Sequence, residues 1–304
     1  MHLCIFDQPG KNNCFKNMIG TMKKNVPARS SLSKGVITLS GWLGILITIW
    51  AIWFTQIAYA APVEKTVPRN PDIFKGEVLA FDISFWLFKN AAHARMTFKK
   101  AGDTYIATME AQTSGFIGFI SRNLKESMTS TMRFDSRRGC FQPLSYQEVF
   151  TQGERTRKRT VTFSHDKRVL AVTYEGAGVK KKTITKKFFK PDCDDLLTAF
   201  YNVRLGYYGD MQKGTRYPIM IYTKERPSTM QVSFPDDTKT PLKNPCKGTR
   251  YVVVSMDKDL TNIASRQLNG WLSQDLVPLC GTVEDAYLLG DLKVMLRERI
   301  ISSE

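Results

Sequence analysis

Few residues in this 304-residue chain have the types and spacing that enzyme chemistry requires. Beyond Ala60 there are two histidines, His93 and His165, on segments that alternate like two separate strands. A histidine base needs a nucleophile within hydrogen-bond reach and a third group to orient it. No sequence neighbour of either histidine supplies them. The chain contains no G-x-S-x-G, P-loop, C-x-x-C or H-E-x-x-H. The expectation is a protein that is not an enzyme, with no catalytic, cofactor-binding or metal-binding residues and no cofactor.

Three groups of residues could still do chemistry of another kind. Asp192, Asp194 and Asp195 bracket Cys193 just ahead of an apolar helical pattern. Carboxylates there satisfy exposed N–H groups and oppose the positive end of the helix dipole, which explains them without a cation or acid–base role. Asp192, next to Pro191, is the expected N-cap. Arg204 lies one position past the apolar face. It is expected to pair with a strand carboxylate such as Asp82 or Asp275, or else to anchor an anionic ligand head. Gly115–Ile120 reads as a short helix, a bent strand or an exposed lip, and Phe116, Ile117, Phe119 and Ile120 are the candidate ligand-binding residues at the mouth of a curved sheet.

Charge and cysteines bound the partners. The whole chain has a net charge of +16, and leaving out the basic-rich leader before Ala61 lowers it to about +11. That balance favours an anionic lipid or glycan, and export makes nucleic acid the least fitting partner. The basic runs Arg155–Arg159, Lys180–Lys182 and Lys186–Lys187 interleave with Val161, Phe163, Ile184 and Phe188. They read as lysine-blunted strands with one solvated face, or as a surface for anionic lipid or glycan. Cys140, Cys193, Cys246 and Cys280 are disulfide candidates whose three full pairings sequence cannot separate, and buried free thiols are the alternative. At Cys193 a disulfide is preferred over a redox role.

The elements that position these residues begin with an uncharged run, Gly35–Ala60, preceded by Lys23, Lys24, Arg29 and Lys34 and closed by Ala58–Tyr59–Ala60. It reads as a signal peptide cleaved before Ala61. Its length also suits a transmembrane anchor if uncleaved, with membrane contact through residues 35–60. Either way the rest is placed in the periplasm of a Gram-negative bacterium. Residues 61–75 read as a linker, punctuated by Pro68 and Pro71, and residues 76–304 as a single mainly-β domain. Period-two segments run from Val78 to Phe189, with a first hairpin turning at Lys89–Asn90. One helix interrupts them, with Leu196, Leu197, Phe200, Tyr201 and Val203 at helical spacing, ending at Gly206 and Gly209. Strand patterns resume from Arg216 to Arg297.

Three stretches carry a family resemblance: the opening hairpin GEVLAFDISFWLFKNAAHARMTF, the helix DCDDLLTAFYNVRLG and the closing segment GWLSQDLVPLCGTVEDAYLLGDLKVML. Together they resemble exported bacterial proteins of the domain-of-unknown-function 3108 family. The resemblance implies an antiparallel, strongly curved sheet or open half-barrel with one packed helix after the signal segment, and it implies no reaction. The expected function is a non-enzymatic cell-envelope protein holding an apolar or amphiphilic ligand, a lipid or lipid-linked glycan, in the curved sheet. The alternative is an interaction or scaffold module with an envelope protein partner and no small-molecule ligand.

Overall fold

The computed structural model describes residues 69–302 apart from 177–178, 188–192, 224–225, 242–243, 257–266 and 288–289. The signal segment expected over residues 1–60 lies outside the described residues, as do Asp192, Phe188 and the first part of the expected linker. The linker's last residues belong to the fold. Pro71–Phe74 forms a 3-10 turn capped by Asn70, and Phe74 is buried in the main core, where its ring meets Phe98 and Tyr201.

Fourteen strands follow: β1 (Glu77–Phe85), β2 (Phe88–Ala101), β3 (Thr104–Thr113), β4 (Lys125–Asp135), β5 (Cys140–Gln152), β6 (Arg155–Ser164), β7 (Val169–Gly176), β8 (Val179–Lys187), β9 (Thr215–Thr223), β10 (Arg226–Phe234), β11 (Arg250–Ser255), β12 (Gln267–Leu272), β13 (Pro278–Tyr287) and β14 (Gly290–Ile301). A short helix α1 (Gly115–Ile120) joins β3 to β4, and α2 (Leu196–Arg204) joins β8 to β9. All strands lie in one sheet, ordered β8-β7-β6-β5-β4-β3-β2-β1-β14-β13-β12-β11-β10-β9. The chain thus lays β1 to β8 outward in one direction, then restarts at the far edge and returns until β14 pairs antiparallel with β1. Short antiparallel connections are what period-two segments separated by turn residues produce.

The two edges of this sheet are β8 and β9, which are consecutive in the chain. α2, on the connection between them, packs on β3, β4 and β5 in one half of the sheet and on β9 at the end of the other. A sheet whose distant strands touch one helix must wrap around it. The sheet does not close among the described residues. Asp194 forms a parallel bridge to Ile221, its N–H donating to Met220 O at 3.0 Å and its carbonyl accepting from Tyr222 N–H at 2.7 Å. That contact covers part of the β9 edge, while β8 shows exposed Lys181 and Lys182, a charge device that discourages edge pairing.

Strand direction assigns each connection to one of two rims. The β2–β3, β4–β5 and β6–β7 turns lie at the same rim as the start of β1. The β1–β2 turn, α1 and the β5–β6 turn lie at the opposite rim. The first hairpin turns at Trp86–Leu87, with Phe85 opposite Phe88, and not at the expected Lys89–Asn90. Trp86 takes the left-handed conformation (φ 51) and its N–H donates to Asp291 O at 2.9 Å, so pairing with β14 sets the turn. Gly290 makes room: a Cβ there would lie 2.8 Å from the Trp86 ring.

Candidate functional site

Across β1 to β7 the inward-facing rows change character from one rim to the other, whereas on β10 Ser228, Met230, Val232 and Phe234 are all buried. On β4, Met132 and Ser130 are fully buried, whereas Met128 and Glu126 are only partly so. The same fall runs from Leu79 to Ile83 on β1, from Phe98 to Ala94 on β2, from Tyr105 to Ala111 on β3, from Tyr146 to Phe150 on β5, and from Leu170 to Tyr174 on β7. Leu296 and Val294 on β14 are likewise half-buried. In the half of the sheet from β14 through β1 to β7, one end of the concave face is therefore packed solid, and the other is a trough of half-covered apolar side chains.

The packed end is the floor, formed by α2. Asp195 is its N-cap, in place of the expected Asp192. Its Oδ1 accepts from Leu197 and Thr198 N–H at 2.9 and 3.0 Å, and its Oδ2 accepts from Ser130 Oγ at 2.6 Å and Thr198 Oγ1 at 2.7 Å. The cap thereby fixes the helix to β4. Asn202 fixes it to β5, its Oδ1 accepting from Phe141 N–H and its Nδ2 donating to Phe141 O. Nδ2 also donates to Asp194 Oδ2 at 2.8 Å, and Tyr208 OH donates to the same oxygen. Desolvation pushes the Asp194 carboxyl up to about 7 against these donors.

Arg204 completes the floor, paired with a strand carboxylate as expected, though with neither of the two examples. It meets neither Asp82 nor Asp275; it forms a two-pronged pair with Glu77 at the start of β1, Nη1 to Oε2 at 2.5 Å and Nη2 to Oε1 at 2.9 Å. Both side chains are buried, and the guanidinium lies 4.7 Å from the Phe74 ring centroid. Asp275 instead pairs with Arg299, which also contacts Glu77, and Asp82 pairs with His93 and Arg297 on the outer face. A cation committed to Glu77 lies in the floor and away from the trough's opening.

At the open end, Gly115–Ile120 is helical. α1 is anchored through its backbone, Gly118 N–H donating to Ser114 O and Gly118 O accepting from Asn123 N–H. Gly118 is buried against Thr113 O, where a Cβ would sit at 3.2 Å. This tuck turns Phe116, Phe119 and Ile120 outward, with Phe119 80% exposed, while Ile117 is half-buried. The four predicted mouth residues therefore stand together on the open rim. Trp86, Leu87 and Phe88, which sequence reasoning did not single out, stand beside them: Phe88 stacks on Phe116 at 5.4 Å and meets Trp86 edge-on at 6.4 Å. The signal that could have found them is Phe85-Trp86-Leu87-Phe88, four large apolar residues in a row that break the alternation at a hairpin.

The remaining chemistry-capable groups lie apart from this rim or within the wall. Cys246 and Cys280 form a disulfide, and Cys140 and Cys193 are free and buried, which corrects their candidacy. Burial raises both thiols, to about 11 and about 12 respectively. Peptide-resolved alkylation should therefore label Cys140 and Cys193 only after unfolding without reductant, and labelling in the native state would contradict their burial. His165 bonds Pro143 O at 2.6 Å at the floor-side rim. In the Arg155–Arg159 run, Arg159 points inward with Val161 and Phe163 and pairs with Glu148 at 2.8 Å. Glu126 faces the trough beside it, its carboxyl raised by burial and by Glu148. A groove of about 430 Å³ on the outer face mixes Arg95, Lys125 and Arg297 with Glu110 and Glu298. Among the described residues no group of three His, Cys, Asp or Glu could hold a metal, and no helix is long and apolar enough to cross a membrane.

The fold and this site define an open, barrel-like antiparallel β protein with a helix closing one end. The chain belongs to the family described as protein of unknown function (DUF3108), which matches residues 80–297. Among solved structures it is similar to a beta-barrel-like protein of domain of unknown function DUF1849 from Brucella abortus, at 11% identity and a TM-score of 0.44, covering 76% of this chain and 99% of that one. It is also similar to a DUF1089 family protein from Pseudomonas aeruginosa, at 9% identity and a TM-score of 0.31, covering 64% and 90% of the two chains. No curated protein matches the sequence.

Proposed function

We propose that this chain is a non-enzymatic, exported envelope protein that holds an amphiphile, a lipid or lipid-linked glycan, in the trough of its curved sheet. The observation that carries the reading is the fall in burial along the inward rows. A sheet closed only for stability would be packed to both rims, since interiors fill space to crystal-like density. Here Met109, Met128 and Tyr174 keep part of their surface open. Methionine suits a surface that must adapt to a flexible chain. Phe116, Ile117, Phe119 and Ile120 stand where an acyl chain would enter, and the polar pair Glu148–Arg159 lies partway down the wall, where a headgroup or glycosidic hydroxyl would find partners.

Export rests on the Gly35–Ala60 run, and an N-terminal sequence beginning at Ala61 would support cleavage. The amphiphile reading is tested by extracting the protein purified from envelopes for lipid mass spectrometry, together with titration of a fluorescent fatty acid. The expected result is a co-purifying lipid and saturable uptake, with Met128→Trp weakening uptake about tenfold by filling the trough. Neither bound lipid nor uptake would overturn the reading.

A further inference from the structure

We propose that the rim bearing Trp86 and α1 docks onto a bilayer surface that carries anionic phospholipid headgroups. Of the exposed large apolar side chains among the described residues, Trp86, Leu87, Phe116, Phe119 and Ile120 all stand on this rim, and the others are dispersed on β14 and the 3-10 turn. Soluble proteins seldom leave a contiguous apolar patch exposed without an interaction that uses it.

The shape and the charge of the rim select the occupant. Leu87 at the tip of a two-residue turn and Phe119 on a single short helix are 74% and 80% exposed. They project outward and form no pocket, a form suited to a deformable lipid interface more than to a shaped protein partner. Trp86 and its aromatic neighbours are the side chains that settle at the headgroup level of membranes. Behind them the rim segments 86–90, 114–125 and 153–155 hold Lys89, Arg122, Lys125 and Arg155, all exposed, against the carboxylate Glu154, with Asp291 beside Trp86 at the start of β14 as a second. Apolar tips backed by cations are the pattern that binds anionic membranes by insertion and headgroup attraction together.

The docking needs only the outer surface of the rim. The transfer step it would serve, loading or unloading the trough without exposing an acyl chain to water, rests on the amphiphile reading above. The test uses the full chain with Cys4→Ser and Cys14→Ser, carrying an environment-sensitive fluorophore at Leu87→Cys, or at Asp103→Cys on the opposite rim. Added phosphatidylcholine vesicles containing phosphatidylglycerol should raise and blue-shift emission at 87 and leave 103 unchanged. Lys89→Glu with Arg122→Glu should weaken the response at 87 at least about tenfold, and added salt should do the same. Fatty acid uptake from solution should be unaffected by that pair. An unchanged signal at 87 with uptake intact would overturn docking alone, whereas docking without any uptake would overturn the amphiphile reading alone. Rim-dependent self-association, lost in Leu87→Asp and with no vesicle response, would also overturn docking.

Discussion

Replacing Glu77 by alanine is expected to destabilise the fold by about 4 kcal/mol, the range seen when one partner of a buried ion pair is removed. Glu77 and Arg204 are 1% and 2% exposed, so the orphaned guanidinium would have no water to solvate it. Arg204→Ala should cost less, because Arg299 Nε still donates to Glu77 Oε1 at 3.1 Å and is itself 30% exposed. The order of the two variants is the discriminating result. For a domain of this size the larger effect corresponds to a fall in Tm of roughly 10 °C. A double variant, Glu77→Met with Arg204→Met, should recover much of the loss, since two apolar side chains of similar volume carry no desolvation cost. Equal single-variant losses, or a double variant no better than Glu77→Ala, would show that the pair does not hold α2 against β1 in this way. Because the pair sits in the floor, none of these changes should alter a fluorescent fatty acid's affinity for protein that remains folded.

This pair also marks the boundary of what the sequence makes legible. Alternation in Val78–Phe85 and Ala92–Phe98 announces strands because burial on one face is a local, period-two property. The helix is equally visible, because Leu196, Leu197, Phe200 and Tyr201 recur on one side. Arg204 stands out as a charge beside that stripe, but its partner lies 127 residues away, and nothing local distinguishes Glu77 from Asp82 or Asp275. The turn at Trp86–Leu87 was hidden for the same reason. Lys89–Asn90 has the better turn chemistry, and only the hydrogen bond from Trp86 to Asp291 on β14 moves it. Asp195 is the cap because α2 begins at Leu196, and Ser130 on β4, far away in sequence, shares its carboxylate. The Cys246–Cys280 pairing needed the β12–β13 geometry. Of the three readings open for Gly115–Ile120, the helix is what forms, with Phe116, Phe119 and Ile120 exposed, whereas the trough behind it is a property of curvature and had no local signature.

Lowering the pH from about 8 to about 5 is expected to stabilise this protein through Asp194, by up to about 3 kcal/mol. The carboxyl is fully buried, and desolvation raises it from 3.8 to about 7 despite donors from Tyr208 and Asn202; the neighbouring Asp195 pushes in the same direction. The sign follows from proton counts. Between about pH 4 and 7 the folded chain holds a proton at Asp194 that the unfolded chain has lost, so folding takes up a proton and stability falls as the pH rises through that window. Above it the folded state carries the full cost of a buried anion. Asp194→Asn separates this group from every other titration. An amide oxygen in the place of Oδ2 can still accept from Asn202 Nδ2 and Tyr208 OH, so the hydrogen bonds at the start of α2 survive while the ionisation is removed. Urea unfolding midpoints of the parent should therefore fall from pH 5 to pH 8 and those of Asp194→Asn should fall less, the variant being the more stable of the two at pH 8. Parallel profiles would mean that Asp194 is ionised throughout and that Tyr208 and Asn202 suffice to hold its charge. Since Asp194 also pairs with Met220 and Tyr222 along the β9 edge, the same titration sets how firmly the segment before α2 covers that edge, which makes hydrogen exchange at Tyr222 N–H a second, local readout of the same proton.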